Sequence, residues 1–153
     1  KEELGQRQKE LAEVEKERAQ LEQATADMVV CGEQQPESDH FVEMENSVIG
    51  SEQGTPWRET RGWFAYKMKS KGKPVNAVRI ESFPDAAKDA DVYVNEVKIG
   101  SVQGKNALHT LLLPKELWKA SEWEVKIMRG KSEVTPKFRT VRMVLSRGLL
   151  VNE

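Results

Sequence analysis

The run Gly32-Glu33-Gln34-Gln35-Pro36-Glu37-Ser38-Asp39-His40 gathers two amides, three carboxylates, a hydroxyl and an imidazole within nine residues. His40 follows Asp39, so a carboxylate–imidazole arrangement is within reach. Glu33, Glu37, Asp39, Glu43 and Glu45 crowd the same segment. Repelling carboxylates can share a proton or take a calcium ion, but their spacing is not that of a calcium loop. Hydrogen bonds that fix a loop account for the same residue types. The rest of the chain supplies no catalytic partner. There is no Gly-rich phosphate loop and no His-Glu-x-x-His pair. His40 and His109 are far apart, and one cysteine, Cys31, is too few for a Cys-rich zinc site or an internal disulfide. A glycosidase needs two carboxylates at a fixed separation. None of the 25 acidic residues is marked out for that work. The expectation is no catalytic residue, no metal and no cofactor.

Aromatic residues are more informative. Trp57, Trp63, Trp118 and Trp123 are many for a chain of 153 residues. Sugar rings stack their C–H faces on exposed indoles, and flanking polar groups read the hydroxyls. Trp57, Arg58 and Trp63, with Gln34, Gln35, Asp39 and His40, supply both kinds of contact and form the candidate ligand-binding set. The competing reading places these indoles in a core, where large aromatics usually go.

Elements that position these groups follow from periodicity. Lys1 to about Ala26 is rich in Glu, Lys, Gln, Arg, Leu and Ala and predicts a helix. Leu4, Leu11, Val14 and Leu21 form a narrow apolar seam, interrupted by Arg7 and Arg18, too weak for a stable long coiled coil. At Met28-Val29-Val30 the pattern turns extended. Strands are then expected over 41–45, 47–51, 62–69 and 75–83. In the third, Phe64, Tyr66 and Met68 face opposite to Trp63, Ala65 and Lys67. Asp91–Asn95 and Val97–Val102 form a hairpin whose turn, Asn95-Glu96, has Glu where Gly is favoured. Further strands are expected at 107–113, around Trp123, Val125 and Ile127, and over 138–145, with a helical turn started by Pro114. All six prolines fall between these runs, as strands require. The fold class is mainly β: an antiparallel, jelly-roll-like β-sandwich preceded by a charged helix. The division is 1–27 connector helix and 28–153 β-sandwich accessory domain.

The formal net charge of -1 gives no electrostatic case for nucleic acid. No apolar run approaches a membrane span. The chain opens at Lys1 within a helical pattern, as a piece of a longer protein does.

The polar run, Glu45-Asn46, Trp57-Arg58 and Gly62-Trp63-Phe64-Ala65-Tyr66 together resemble the C-terminal β-sandwich module of β-L-arabinofuranosidase-type glycoside hydrolases, family 127 and its relatives. Asp91 to Ile99 is similar to that module's Phe-Asp-Ile-Leu-Val-Asp-Gly-x-Lys-Ile hairpin. Pro114-Lys115-Glu116-Leu117 and Val141-Arg142 fit its later strands. The resemblance spans about Val29 to Leu145. Two departures stand out: Glu96 replaces the hairpin Gly, and Ser82-Phe83-Pro84 stands where the family often has Tyr-Trp-Gly. The resemblance implies that the charged helix joins this module to an (α/α) barrel carrying a zinc-bound cysteine nucleophile and a glutamate acid/base. Cys31 does not match that cysteine motif. It also implies a bacterial parent enzyme placed outside the cytoplasm, periplasmic or secreted, with plant-wall oligosaccharide and the barrel of the same polypeptide as partners. For this chain the implied role is non-catalytic. Two functions stay open: a carbohydrate-binding domain, or a structural domain that packs on the barrel and shapes its active site.

Overall fold

The computed structural model describes residues 2–146, with side chains from residue 12 onward. A charged helix, α1 (Glu2–Ala24), leads into strand β1 (Thr25–Val30). The strand therefore begins inside the stretch assigned from sequence to the connector (1–27). Thr25 and the Val29-Val30 pair are poor helix residues and good strand residues, and pairing with the last strand captures them. Thr25 Oγ1 closes the helix by donating to the Leu21 carbonyl at 2.6 Å. Of the expected seam, Val14 is exposed and Leu21 half-buried; Leu4, Arg7 and Leu11 lie outside the described side chains.

The polar run is not a loop throughout. Its centre forms one short helix, α2 (Gln34–Asp39). Pro36 is tolerated there because a first-turn N–H has no intrahelical partner. The helix ends in a Schellman arrangement: Val42 N–H donates to the Glu37 carbonyl and Phe41 N–H to that of Ser38, both at 3.1 Å. Phe41 holds the left-handed position (φ 52°) that glycine usually takes.

The two short strands expected next are one strand, β2 (Glu43–Glu52), with a bulge between Glu45 and Ser47. It forms a hairpin with the long strand β3 (Thr55–Lys69). Then follow β4 (Ala77–Ser82), β5 (Asp89–Val94), β6 (Val97–Gln103), β7 (Leu108–Leu112), a 3₁₀ turn at Lys115–Leu117, β8 (Glu122–Arg129) and β9 (Phe138–Val144). Every pairing is antiparallel. The strand order β6-β5-β8-β3-β9-β4-β7 carries β2 on β3 and β1 on β9. A single pair, Arg58↔Phe138, joins β3 to β9. The sheet thus divides into a five-stranded half (β6-β5-β8-β3-β2) and a four-stranded half (β7-β4-β9-β1), as in a jelly-roll sandwich.

One core fills the space between the halves. Phe64, Tyr66, Met68, Val92, Trp123, Val125 and Ile127 come from the first; Val29, Val78, Ile80, Val141 and Met143 from the second. The alternation expected in β3 holds, with Phe64, Tyr66 and Met68 buried together. Phe64 meets Tyr66 and Phe138 edge to face at 5.5 and 5.8 Å. Trp123 lies in the core with its Nε1 donating to the Leu117 carbonyl at 2.8 Å.

Asn95 and Glu96 both take positive φ, 49° and 70°, as a two-residue type I′ hairpin turn requires. The left-handed region disfavours glutamate, and Glu96 is exposed. Glu96→Gly is therefore expected to raise stability by about 1 kcal/mol, read as a higher denaturation midpoint with an unchanged slope.

Candidate functional site

The residues singled out in the sequence are distributed over three surroundings. Glu37 and Arg58 are both buried and form a bidentate pair: Nε donates to Oε2 at 2.6 Å and Nη2 to Oε1 at 2.8 Å. The Tyr66 hydroxyl donates to the same carboxylate. Burial opposes ionisation of Glu37, but the hydrogen bonds from Arg58 and Tyr66 outweigh it and hold the carboxyl below its ordinary pKa. Burial likewise works against the Arg58 charge, and Glu37 more than restores it. Nη1 of Arg58 is taken by Ser47 Oγ at 2.9 Å and by the Met44 sulfur at 3.1 Å. Arg58 therefore belongs to the frame and is not free to read a sugar hydroxyl.

Cys31 shares these buried surroundings. Burial pushes its thiol up to about 12, so it is an inert thiol near neutral pH. Gly32 is required here: its φ is +86°, and a Cβ would stand 2.4 Å from the Trp57 carbonyl oxygen.

His40 is tied down as well. Its Nε2 lies 2.8 Å from Asp27 Oδ1 and its Nδ1 2.7 Å from the Pro36 carbonyl. Both partners accept only, so the arrangement favours the doubly protonated imidazole, in which both ring nitrogens donate. The hydrogen bond to Asp27 raises the His40 pKa against the opposing effect of burial. The sequence neighbour Asp39 instead accepts from Gln35 Nε2 at 2.8 Å, on the exposed side of α2. Asp27 was not singled out by sequence. No motif marks it, because apart from the adjacent Met28 N–H its partners come from a distant segment: Lys69 N–H at 2.9 Å and Lys71 Nζ at 3.2 Å.

The two candidate tryptophans differ. Trp57 lies flat on the hairpin, where a Cβ on Gly50 would stand 2.4 Å from its ring. Lys137 Nζ sits 4.7 Å from the ring centroid and is paired with Glu52. Trp57 is half-buried, and its Nε1 is buried without a hydrogen-bond partner among the described residues. Trp63 stands on the outer face of the five-stranded half. Its Nε1 donates to Glu45 Oε2 at 3.1 Å, and Lys126 Nζ lies 4.4 Å from the ring centroid. Trp63 and Asp91 both pair with Met128, and Tyr93 pairs with Lys126. Trp63 and Tyr93 are two strands and two residues apart, about 12 Å at ordinary strand spacing and rise. Asp91 accepts from Ser101 at 2.9 Å and meets Lys98 at 3.4 Å. On the same face Lys67 lies 5.6 Å from the Phe41 ring. Here half-buried and exposed aromatic rings alternate with cations, carboxylates and a hydroxyl. Such a face can stack a ring and hydrogen-bond to its substituents.

Next to it, Gln34, Ser38, Phe41, Val42 and Ile49 line an open groove of about 460 Å³ over the Glu37–Arg58 pair. Gln34 is the one member of the candidate set that borders this groove without being buried. His109 sits in β7 as a half-buried strand residue whose Nε2 accepts from Gln103 N–H at 3.0 Å. Burial lowers its pKa and keeps it neutral. Among the described residues no group of three or more His, Cys, Asp or Glu is placed to hold a metal ion. No described helix is long and apolar enough to cross a membrane.

The fold is that of the β-sandwich carbohydrate-binding modules. A family 35 carbohydrate-binding module from an environmental isolate superposes with a TM-score of 0.58 at 15% identity, over 78% of this chain and 93% of that one. A family 36 module, solved in complex with calcium and xylotriose, gives 0.52 at 10% identity, over 75% and 97%. The Podospora anserina GH26-CBM35 β-(1,4)-mannanase gives 0.52 at 9% identity, over 80% of this chain and 28% of that one. The chain itself belongs to the family described as a family of unknown function, DUF6805, which it matches over residues 20–144. No curated protein matches it.

Proposed function

We propose that this domain is a non-catalytic, carbohydrate-binding accessory module of a bacterial glycoside hydrolase, with Trp63 at the centre of its binding face. The observation that carries the reading is the half-buried row of Trp63, Lys126 and Tyr93 on the outer face of a sheet whose fold is shared with sugar-binding modules. The sequence resemblance supports a parent of the β-L-arabinofuranosidase type, acting outside the cytoplasm on plant-wall oligosaccharides. In that setting the domain raises the effective concentration of substrate at a catalytic (α/α) barrel of the same polypeptide.

Titration of the domain with arabinan oligosaccharides, followed by tryptophan fluorescence, tests the reading. Trp63→Ala is expected to weaken binding tenfold or more, equivalent to ~1.4 kcal/mol, while Trp57→Ala changes affinity less than twofold. Binding that survives Trp63→Ala removes the proposed face.

A second reading rests on a different observation. Phe41, Val48, Ile49 and Met44 are 60, 57, 53 and 42% exposed along the edge hairpin. An apolar edge of this kind suits packing on a neighbouring domain. An intact fold that binds no glycan at millimolar concentration favours this structural role.

A further inference from the structure

On the outer face of the four-stranded half, two arginines confront each other. Arg79 on β4 and Arg142 on β9 are direct cross-strand partners, a position in which like charges repel. Thr110 on β7 flanks Arg79 from the other side. Both Nε atoms are buried and lack a hydrogen-bond partner among the described residues. Glu81 stands 3.8 Å from Arg79 Nε, beyond hydrogen-bond reach. Arg142 Nη1 donates to the Thr25 hydroxyl at 3.3 Å. Burial and Arg79 both work against the Arg142 charge, and Glu81 and Glu22 offset them in part. The pair lies in a cleft of about 1170 Å³ between this face and α1, which Arg18 and Lys73 also line, together with the acids Glu17 and Glu22. Its walls include the amides of Gln20 and Gln23.

We propose that this cleft is a second binding site, for a sugar chain bearing oxyanions, with Arg79 and Arg142 holding one carboxylate or sulfate group between them. An anion placed there removes the cross-strand repulsion. It also gives two under-satisfied guanidiniums a partner whose oxygens match their paired N–H donors. Four cations against two acids on the lining, with Glu81 a third acid beside Arg79, leave an excess of positive charge that favours an anionic chain, and the amides and the Thr110 hydroxyl suit its hydroxyl groups. The site is on the opposite half from Trp63 and does not depend on that face.

Calorimetric titration at low ionic strength tests it, with a galacturonate oligomer as the carboxylate probe, a sulfated dextran fragment as the sulfate probe, and a neutral arabinan oligosaccharide as control. Binding of at least one anionic probe is expected. It should fall tenfold or more in Arg79→Gln and in Arg142→Gln, and steeply with added salt. Trp63→Ala should leave it unchanged. Which probe binds identifies the substituent. Arg79→Gln is also expected to leave the thermal midpoint unchanged or raised, because a repulsion is removed. The proposal is overturned if neither anionic probe binds folded protein at millimolar concentration, or if binding survives both arginine substitutions.

Discussion

Glu37→Ala is expected to lower folding stability by about 3–5 kcal/mol, because it strands a buried guanidinium. Arg58 is 5% exposed at its side chain and Glu37 is 4% exposed, so no water replaces the lost partner. The Tyr66 hydroxyl loses its acceptor in the same step. The effect spreads because the pair joins α2 to β3 at the point where β3 meets β9. For a domain of this size the melting temperature should fall by about 10 °C or more. The double variant Glu37→Leu, Arg58→Met separates the value of the pair from the cost of breaking it. Replacing a whole buried ion pair by apolar residues is often neutral or stabilising, so the double variant should recover most of the loss. Denaturant unfolding of the single and double variants measures both. A single-variant loss below about 1 kcal/mol would show that water reaches Arg58 and that the pair is not the clamp described here.

The second large effect is a pH dependence centred on Asp27 and His40. The Asp27 carboxylate is opposed by burial, but His40, Lys69 N–H and Lys71 hold its pKa below the ordinary value. A depressed carboxylate contributes stability that is present above its unfolded pKa and lost as the pH falls through the folded one. His40 behaves in the opposite sense. Its raised pKa contributes stability that is complete below the unfolded value near 6.5 and lost as the pH rises through the folded value. The two contributions overlap between about pH 4 and pH 6.5, and stability should be greatest there. Asp27→Asn removes the cause of the His40 shift. It should cost about 2–3 kcal/mol at pH 6 and flatten the decline above neutrality. Unfolding midpoints from pH 4 to 9 for the parent and the variant check this. An unaltered alkaline slope in Asp27→Asn would show that His40 is not held protonated by that carboxylate.

Much of the strand pattern was legible along the chain. Phe64, Tyr66 and Met68 alternate with Trp63, Ala65 and Lys67, and period-two alternation assigns faces without knowledge of the partner strand. The Asn95-Glu96 turn was legible even with an unfavourable glutamate, because the flanking valines fix the register. The polar run was read as a loop and contains α2, since a six-residue helix with Pro36 in its first turn carries almost no periodic signal. The start of β1 was missed because Thr25 is a single strand-favouring residue between the helix formers Ala24 and Ala26, and only pairing with β9 decides it.

The candidate set fared unevenly for a physical reason. Residue type reports what a side chain can do, and burial decides whether it is free to do it. Arg58 and His40 had suitable chemistry, but Glu37 and Asp27 occupy them. Trp57 and Trp63 are equivalent in sequence, yet the first packs its ring on Gly50 and the second stands on the outer face with its Nε1 bonded to Glu45.

The chain by itself determined the fold class, the opposition of Trp63 to Phe64 and Tyr66 on β3, and the absence of a recognisable catalytic motif. These depend on local periodicity and on the spacing of residue types. Tertiary structure alone decided that Glu37 meets Arg58, that Asp27 rather than Asp39 meets His40, and that Arg79 faces Arg142. Each pair joins segments far apart in sequence, and in a β-sandwich such meetings are set by strand order and register, which no local pattern encodes.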